Sequence, residues 1–230
     1  MINYEIKGSG KTIVLLHGWG SNLTLMHNIA YYFKDTFQVI NIDLPGFGKS
    51  DIITSMSIDD YVTCICNIIE KYHTSNPIII AHSFGARVAI KYAAINKCSA
   101  LILTGAAGIR PTRYPNYYIK VYLYKLTKLL NIKTNLGSKD YIEANPLLQQ
   151  TLVKAVNEDL TYLLPHIDCP TLLIWGEDDK QTPIKYANKM NKLIKDSTLI
   201  IFENDDHFAY YHQPLRFNKV VEAYLKGVIK

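Results

Sequence analysis

Short apolar runs rich in β-branched residues alternate along this chain with longer stretches in which apolar residues recur every three or four positions. Runs of the first kind, bounded by turn residues, read as strands buried on both faces; stretches of the second kind read as amphipathic helices. The strands expected are Thr12–Leu16, Val39–Asp43, Ile78–Ala81, Ala100–Thr104, Thr171–Trp175 and Thr198–Phe202. A further short strand at Tyr4–Lys7 is expected as an antiparallel edge, turning back through Gly8-Ser9-Gly10. Helices are expected over Leu23–Lys34, Ile58–Tyr72, Phe84–Asn96, Ile184–Ile194 and Leu215–Lys226. Alternation of this kind is the signature of βαβ units, so the fold class is α/β: a mostly parallel, doubly wound sheet of about seven strands with helices on both faces.

The alternation breaks once. Residues 110–164 read as helices without a strand, which marks a helical lid inserted into a core made of residues 1–109 and 165–230. Within it Tyr118, Ile119, Tyr122, Leu123, Leu126, Leu129 and Leu130 follow helical spacing, with Lys120, Lys125 and Lys128 on the other side. A second amphipathic stretch begins near Pro146 and is expected to carry Leu147, Leu148, Leu152, Val153 and Val156 on one face.

Composition narrows the picture. With 230 residues, 48% of them hydrophobic, the chain can bury a core large enough to hold a preorganised site without disulfides or a structural metal. Its first residues carry neither a charged leader nor an apolar core of signal-peptide length, so a cytoplasmic location is expected by default. No apolar run approaches the roughly 18 residues of a membrane span. The four cysteines are then expected as free thiols, and Cys64 and Cys66, about 200° apart on a helix, do not form a metal-binding pair.

The sharpest chemical signal is Ile78-Ile79-Ile80-Ala81-His82-Ser83-Phe84-Gly85-Ala86, an apolar strand running into a helix with a serine at the junction. This is close to the G-x-S-x-G nucleophile elbow, in which a strained turn exposes the serine hydroxyl. Gly85 satisfies the second small position, and Ala81 replaces glycine at the first. A serine hydroxyl needs a base to take its proton and an acid to orient that base. Both are available beyond the carboxyl ends of later strands, where open α/β sheets build their sites. Thr171–Trp175 ends in Gly176-Glu177-Asp178-Asp179, and Thr198–Phe202 ends in Glu203-Asn204-Asp205-Asp206-His207-Phe208. The order serine, acid, His207 is that of an α/β hydrolase, although spacing alone does not choose among the three carboxylates. An oxyanion also needs donors. The turn His17-Gly18-Trp19-Gly20 after the strand ending at Leu16 nominates the backbone N–H of Trp19, beside that of Phe84.

Taken together, His17-Gly18-Trp19-Gly20, Asp43-Leu44-Pro45-Gly46-Phe47-Gly48-Lys49-Ser50, Ala81-His82-Ser83-Phe84-Gly85, Trp175-Gly176-Glu177-Asp178-Asp179 and His207 with its following aromatic resemble the α/β-hydrolase superfamily. The resemblance spans essentially the whole chain. It implies that the acid is Asp179, three residues after the glycine of the Trp-Gly turn, and that a lid follows the sixth of the usual eight strands. It also implies that the first usual strand has no counterpart here and that the lid is short. The function expected is that of a serine hydrolase cleaving a carboxylic ester or related acyl substrate through an acyl-enzyme on Ser83. Carbon–carbon bond hydrolase, thioesterase or peptidase activity with the same triad is the alternative, as is a non-catalytic ligand-binding protein on the same fold. A serine at the elbow argues against relatives that use aspartate there.

Other signals are set aside. Gly46-Phe47-Gly48-Lys49-Ser50 ends like a phosphate loop, but Asp43 stands where that motif needs its first glycine. None of the seven histidines forms a ligand pair, so neither a metal nor a cofactor is expected. Residues 110–139 carry seven Lys or Arg and no acid, which leaves the remainder at net −2 in a chain of net +5. A solvated helix face accounts for such a run; a functional reading would have it meet an anionic substrate, an acidic carrier protein or a membrane surface. With no recognition motif beside it, nucleic acid is not an expected partner.

Overall fold

The computed structural model describes residues 1–112, 121–122, 127 and 138–229. Seven strands form one sheet: β1 (Tyr4–Lys7), β2 (Thr12–Leu16), β3 (Gln38–Ile42), β4 (Ile78–His82), β5 (Ala100–Thr104), β6 (Thr171–Gly176) and β7 (Ser197–Phe202). Their spatial order is β1-β3-β2-β4-β5-β6-β7, parallel throughout except for β1. The helices that lie wholly among the described residues are α1 (His27–Phe33, entered through a 3₁₀ turn at Leu23–Met26), α2 (Ile58–Lys71), α3 (Phe84–Ile95), α4 (Lys139–Glu143), α5 (Pro146–Asn157), α6 (Ile184–Leu193), α7 (Ala209–His212) and α8 (Pro214–Val228); a second 3₁₀ segment covers Thr161–His166.

Alternation along each central strand explains why both sheet faces are dry. Ile13, Leu15, Ile78, Ile80, Ile102, Leu172 and Ile174 pack with Ile29 and Phe33 of α1 and Phe217, Val221 and Leu225 of α8. Their neighbours Val14, Leu16, Ile79, Ala81, Leu101, Leu103, Leu173 and Trp175 pack on the opposite face with α2, α3 and α6. Successive residues of a strand point to opposite faces, so strands covered on both sides must be apolar continuously. The doubly wound sheet follows from that pattern.

Edge strand β1 is antiparallel, as expected, but its partner is β3, with Ile6 opposite Ile40, and not the β2 to which Gly8-Ser9-Gly10 leads. Both flanks of β2 are already occupied by β3 and β4. The Gly-Ser-Gly segment therefore carries the chain across β3 instead of closing a hairpin, with positive φ at Gly8 and Gly10.

Between β5 and β6 the first expected amphipathic helix lies almost wholly outside the described residues. In the second, α5, Asn145 caps the start by accepting from the Leu148 amide, and the buried stripe is Leu148, Thr151 and Ala155. Val153 is 44% exposed, so the contact face is rotated from the one that apolar spacing suggests. The reason is local. The Thr151 hydroxyl accepts the Met56 amide at 2.9 Å, and Lys154 donates to the Ser55 carbonyl at 2.8 Å, which ties α5 to the loop before α2. Among the described residues no helix is long and apolar enough to cross a membrane.

Candidate active site

The strand-to-helix junction at Ser83 is a constrained turn. Ser83 has φ 50° and ψ −109°, a conformation that costs a non-glycine residue about 1–3 kcal/mol. The surroundings hold it there: its amide donates to the Thr104 carbonyl at the end of β5, and its carbonyl accepts the Ala86 and Ala107 amides, all at 3.1 Å. A Cβ on Gly85 would stand 2.6 Å from the carbonyl oxygens of Leu16 and His17, so only glycine lets α3 approach the end of β2. Ala81, at the other small position, lies in regular register between Leu16 and Leu103 with its methyl in the core. That is why alanine serves there in place of glycine.

The turn after β2 folds over this junction. His17 is fully buried, and its Nε2 accepts the Leu44 amide at 3.0 Å, so Nδ1 carries the proton and donates to the Gly18 carbonyl at 2.7 Å. Burial pushes its pKa down to about 4, which keeps the ring neutral. Gly18 and Trp19 share a trans peptide, so fixing the Gly18 carbonyl aims the Trp19 N–H the opposite way. A Cβ on Gly18 would lie 3.3 Å from the Ser83 Cβ, which places this turn directly against the serine. Neither the Trp19 nor the Phe84 amide has an acceptor among the described residues. The Trp19 ring packs edge-on against Phe47 and Phe84, giving the site an aromatic wall.

Across the sheet, the loops after β6 and β7 meet. Glu177 donates its amide to the Phe202 carbonyl and Asp178 to that of Asp205, which joins the two loops side by side. Of the three carboxylates left open by spacing, Glu177 and Asp178 are exposed and Asp179 is buried. Asp179 Oδ2 accepts from His207 Nδ1 at 2.8 Å and from the Thr182 hydroxyl at 2.8 Å, while Oδ1 accepts the Gln181 and Thr182 amides at 2.8 Å. Burial opposes ionisation of this carboxyl, yet the His207 and Thr182 hydrogen bonds outweigh it and hold the pKa below the ordinary carboxylate value. Trp175 anchors the loop by donating its indole N–H to the Thr182 carbonyl at 2.6 Å. Asp205 braces the other loop, accepting from His212 Nδ1, Gln213 Nε2 and the Asp206 amide.

Sequence reasoning quoted His17 and His82 within motifs without giving either a task, and it missed Thr182 altogether. His17 could be suspected as the residue entering the oxyanion turn; Thr182 carries no signal before the loop closes. The Gly46–Ser50 loop wraps Asp43, whose carboxylate accepts from Lys49 and Leu23 amides and the Asn3 side chain. Its Lys49 amide is bound to that carboxylate and its Phe47 and Ser50 amides to the Leu44 and Phe47 carbonyls, so the loop is a structural turn. Asp205, Asp206 and His212 are the described side chains whose potential metal-ligating atoms converge, within 4.8 Å, but their donors and acceptors already bind one another.

A serine on a strained strand-to-helix turn, a buried acid–histidine pair at adjoining strand ends and a glycine turn over the serine define the architecture of a hydrolase with a nucleophile elbow. The chain belongs to the alpha/beta hydrolase family, whose model matches residues 13–220. Among curated proteins it is 27% identical over 248 residues to the AB hydrolase superfamily protein YisY of Bacillus subtilis, covering 94% of this chain and 92% of that one. It is 25% identical over 262 residues to a 2-hydroxy-6-oxononadienedioate/2-hydroxy-6-oxononatrienedioate hydrolase of Burkholderia vietnamiensis, covering 98% and 91%. Among solved structures it resembles an esterase from Exiguobacterium antarcticum, with a TM-score of 0.81 and 25% identity over 98% of this chain and 95% of that one.

Proposed function

We propose that this hydrolase cleaves a carboxylic ester or related small acyl compound by way of an acyl-enzyme on Ser83. The observation that carries the reading is the strained Ser83 turn at the same edge of the parallel sheet as the buried His207–Asp179 pair. In this mechanism His207, held by Asp179 through Nδ1, uses Nε2 to take the Ser83 proton as Oγ attacks the carbonyl carbon. The Trp19 and Phe84 amides receive the oxyanion, and collapse of the tetrahedral adduct expels the alcohol, protonated by His207. Water, activated by the same histidine, then releases the acid. The segment between β5 and β6 acts as a lid that selects the acyl group, and no metal or cofactor takes part. The protein works in the cytoplasm on a small molecule.

The test is a panel of p-nitrophenyl esters of graded chain length, run beside labelling with a fluorophosphonate probe. Turnover and labelling that both vanish in Ser83→Ala are expected; a variant keeping a tenth of either activity would overturn the assignment of the nucleophile.

A second reading is hydrolysis of a carbon–carbon bond in an anionic 2-hydroxy-6-oxo-dienoate. It is favoured by the likeness to the Burkholderia enzyme and by the seven cations of residues 110–139. Loss of the absorbance of such a dienoate, with p-nitrophenyl esters turned over far more slowly, would establish it over the ester reading.

A further inference from the structure

One buried histidine beside the serine is not used by that mechanism. His82 ends β4, is 1% exposed and stands on the sheet face covered by α1 and α8. Its Nε2 lies 3.0 Å from the carbonyl oxygen of His207, 125 residues away in sequence. A carbonyl can only accept, so Nε2 carries the proton and Nδ1 is a bare lone pair. That lone pair has no hydrogen-bond partner and faces Gly18, where a Cβ would come within 2.8 Å of it. Around the ring stand His207, Phe208 and Tyr210, with centroids 4.6, 5.2 and 4.8 Å away. Burial, and then the charge of a protonated His207, push the His82 pKa down to about 3, so the ring stays a neutral donor over the working range.

These contacts place one side chain against all three parts of the site: the elbow, by covalent sequence; the oxyanion turn, through Gly18; and the base, through its backbone. The Asp179 hydrogen bond fixes the tilt of the His207 ring but leaves the height of the residue above the sheet to its own main chain. The His82 N–H holds that main chain.

We propose that His82 is a positioning residue, whose Nε2–H hydrogen bond to the His207 carbonyl sets the distance between the histidine base and the Ser83 hydroxyl. The proposal rests on the reading of Ser83 as nucleophile and His207 as base. A shift of the base by about 1 Å is expected to cost up to 10²-fold in the chemical step without altering how a ligand is bound.

The decisive measurement is the rate of fluorophosphonate labelling of the full chain as a function of probe concentration, which separates the maximal rate from the half-saturating concentration. His82→Phe keeps the ring stack and loses the donor; its maximal rate should fall roughly 10- to 100-fold with the half-saturating concentration within about twofold. His82→Gln, whose amide N–H reaches about as far as imidazole Nε2, should stay within about fivefold of wild type, and His82→Asn, whose amide is too short, should resemble His82→Phe. A merely structural role would lower the fraction of protein that labels and leave the rate of that fraction unchanged. Such a result overturns the proposal, as does a His82→Phe rate within threefold of wild type. If His82→Phe does not fold, the Gln and Asn variants carry the same test, and equal rates in those two overturn it. Failure of the underlying reading is recognised separately, because the probe would then label Ser83→Ala or leave the wild-type chain unlabelled.

Discussion

The rim formed by the strand ends and the segment between β5 and β6 are held by different means. At the rim, groups are fixed by backbone partners and by buried side chains at 2.7–3.1 Å: the Ser83 backbone by Thr104 and Ala107, the Asp179 carboxylate by the Thr182 amide, the Gly18 carbonyl by His17. In the described part of the β5–β6 segment, α5 touches the core through three buried side chains, is tied to the loop before α2 by Thr151 and Lys154, and leaves Val153 exposed. The first kind of region suits chemistry, which tolerates little misplacement; the second suits substrate selection, which profits from change. The difference predicts that rim substitutions act strongly on rate and that substitutions in α5 change stability modestly with little change in kcat.

The largest effect expected is that of Ser83→Ala, a loss on the order of 10⁶ in turnover if the triad acts as a unit. Ser83→Gly should be equally inactive yet melt at higher temperature, by an amount equivalent to about 1 kcal/mol, because glycine accepts φ 50° without strain. A rim that lost stability in that variant would not be storing strain.

Acid comes next. In the folded protein His17 and His82 have pKa values near 4 and 3, against about 6.5 unfolded, so below pH 6.5 the unfolded chain takes up protons that the folded one refuses. Stability is therefore complete above about pH 6.5 and lost as pH falls toward those values, by on the order of 4 kcal/mol for the pair between pH 7 and pH 5. Asp179, whose pKa is lowered, contributes stability that is lost only below the carboxylate range, outside this window. Urea unfolding midpoints at the two pH values measure it, and a flat profile would mean that the two rings are not buried neutral.

Gly85→Ala should cost about 1–3 kcal/mol, since the new methyl meets the Leu16 and His17 carbonyls, and should slow turnover as the elbow moves away from the oxyanion turn. In α5, Thr151→Val orphans the Met56 amide and should cost about 1 kcal/mol with little change in kcat. Smallest is Val153→Ser, expected within about 0.5 kcal/mol of wild type in denaturant unfolding. A large rate effect from either α5 variant would erase the distinction drawn between the two regions.

Most of the sheet could be read from the chain because its strands are covered on both faces. Ala100–Thr104 and Thr12–Leu16 match the expected bounds, β4, β6 and the edge strand β7 each run one residue longer at one end, and β3 is shifted by one residue at both ends. Pairing could not be read: nothing in Tyr4–Lys7 says that β3 is its neighbour. The buried stripe of α5 escaped because a threonine and an alanine make its closest contacts, and apolar spacing ranks Leu152 and Val153 above them. At the site, family resemblance selected Asp179, whereas the residues around it acquire meaning only in space. Thr182 matters because it closes over a carboxylate, and His82 because the chain returns to it 125 residues later.

That long return bears on synthesis. The serine, its turn and its strained backbone belong to residues 17–107, but His207 follows β7, and its loop is braced by His212 and Gln213, all of them synthesised after the elbow. On the proposed mechanism, a nascent polypeptide that has completed the elbow still lacks the histidine that would activate it, so it stays inert until β7 and the loop carrying His207 have been made and docked.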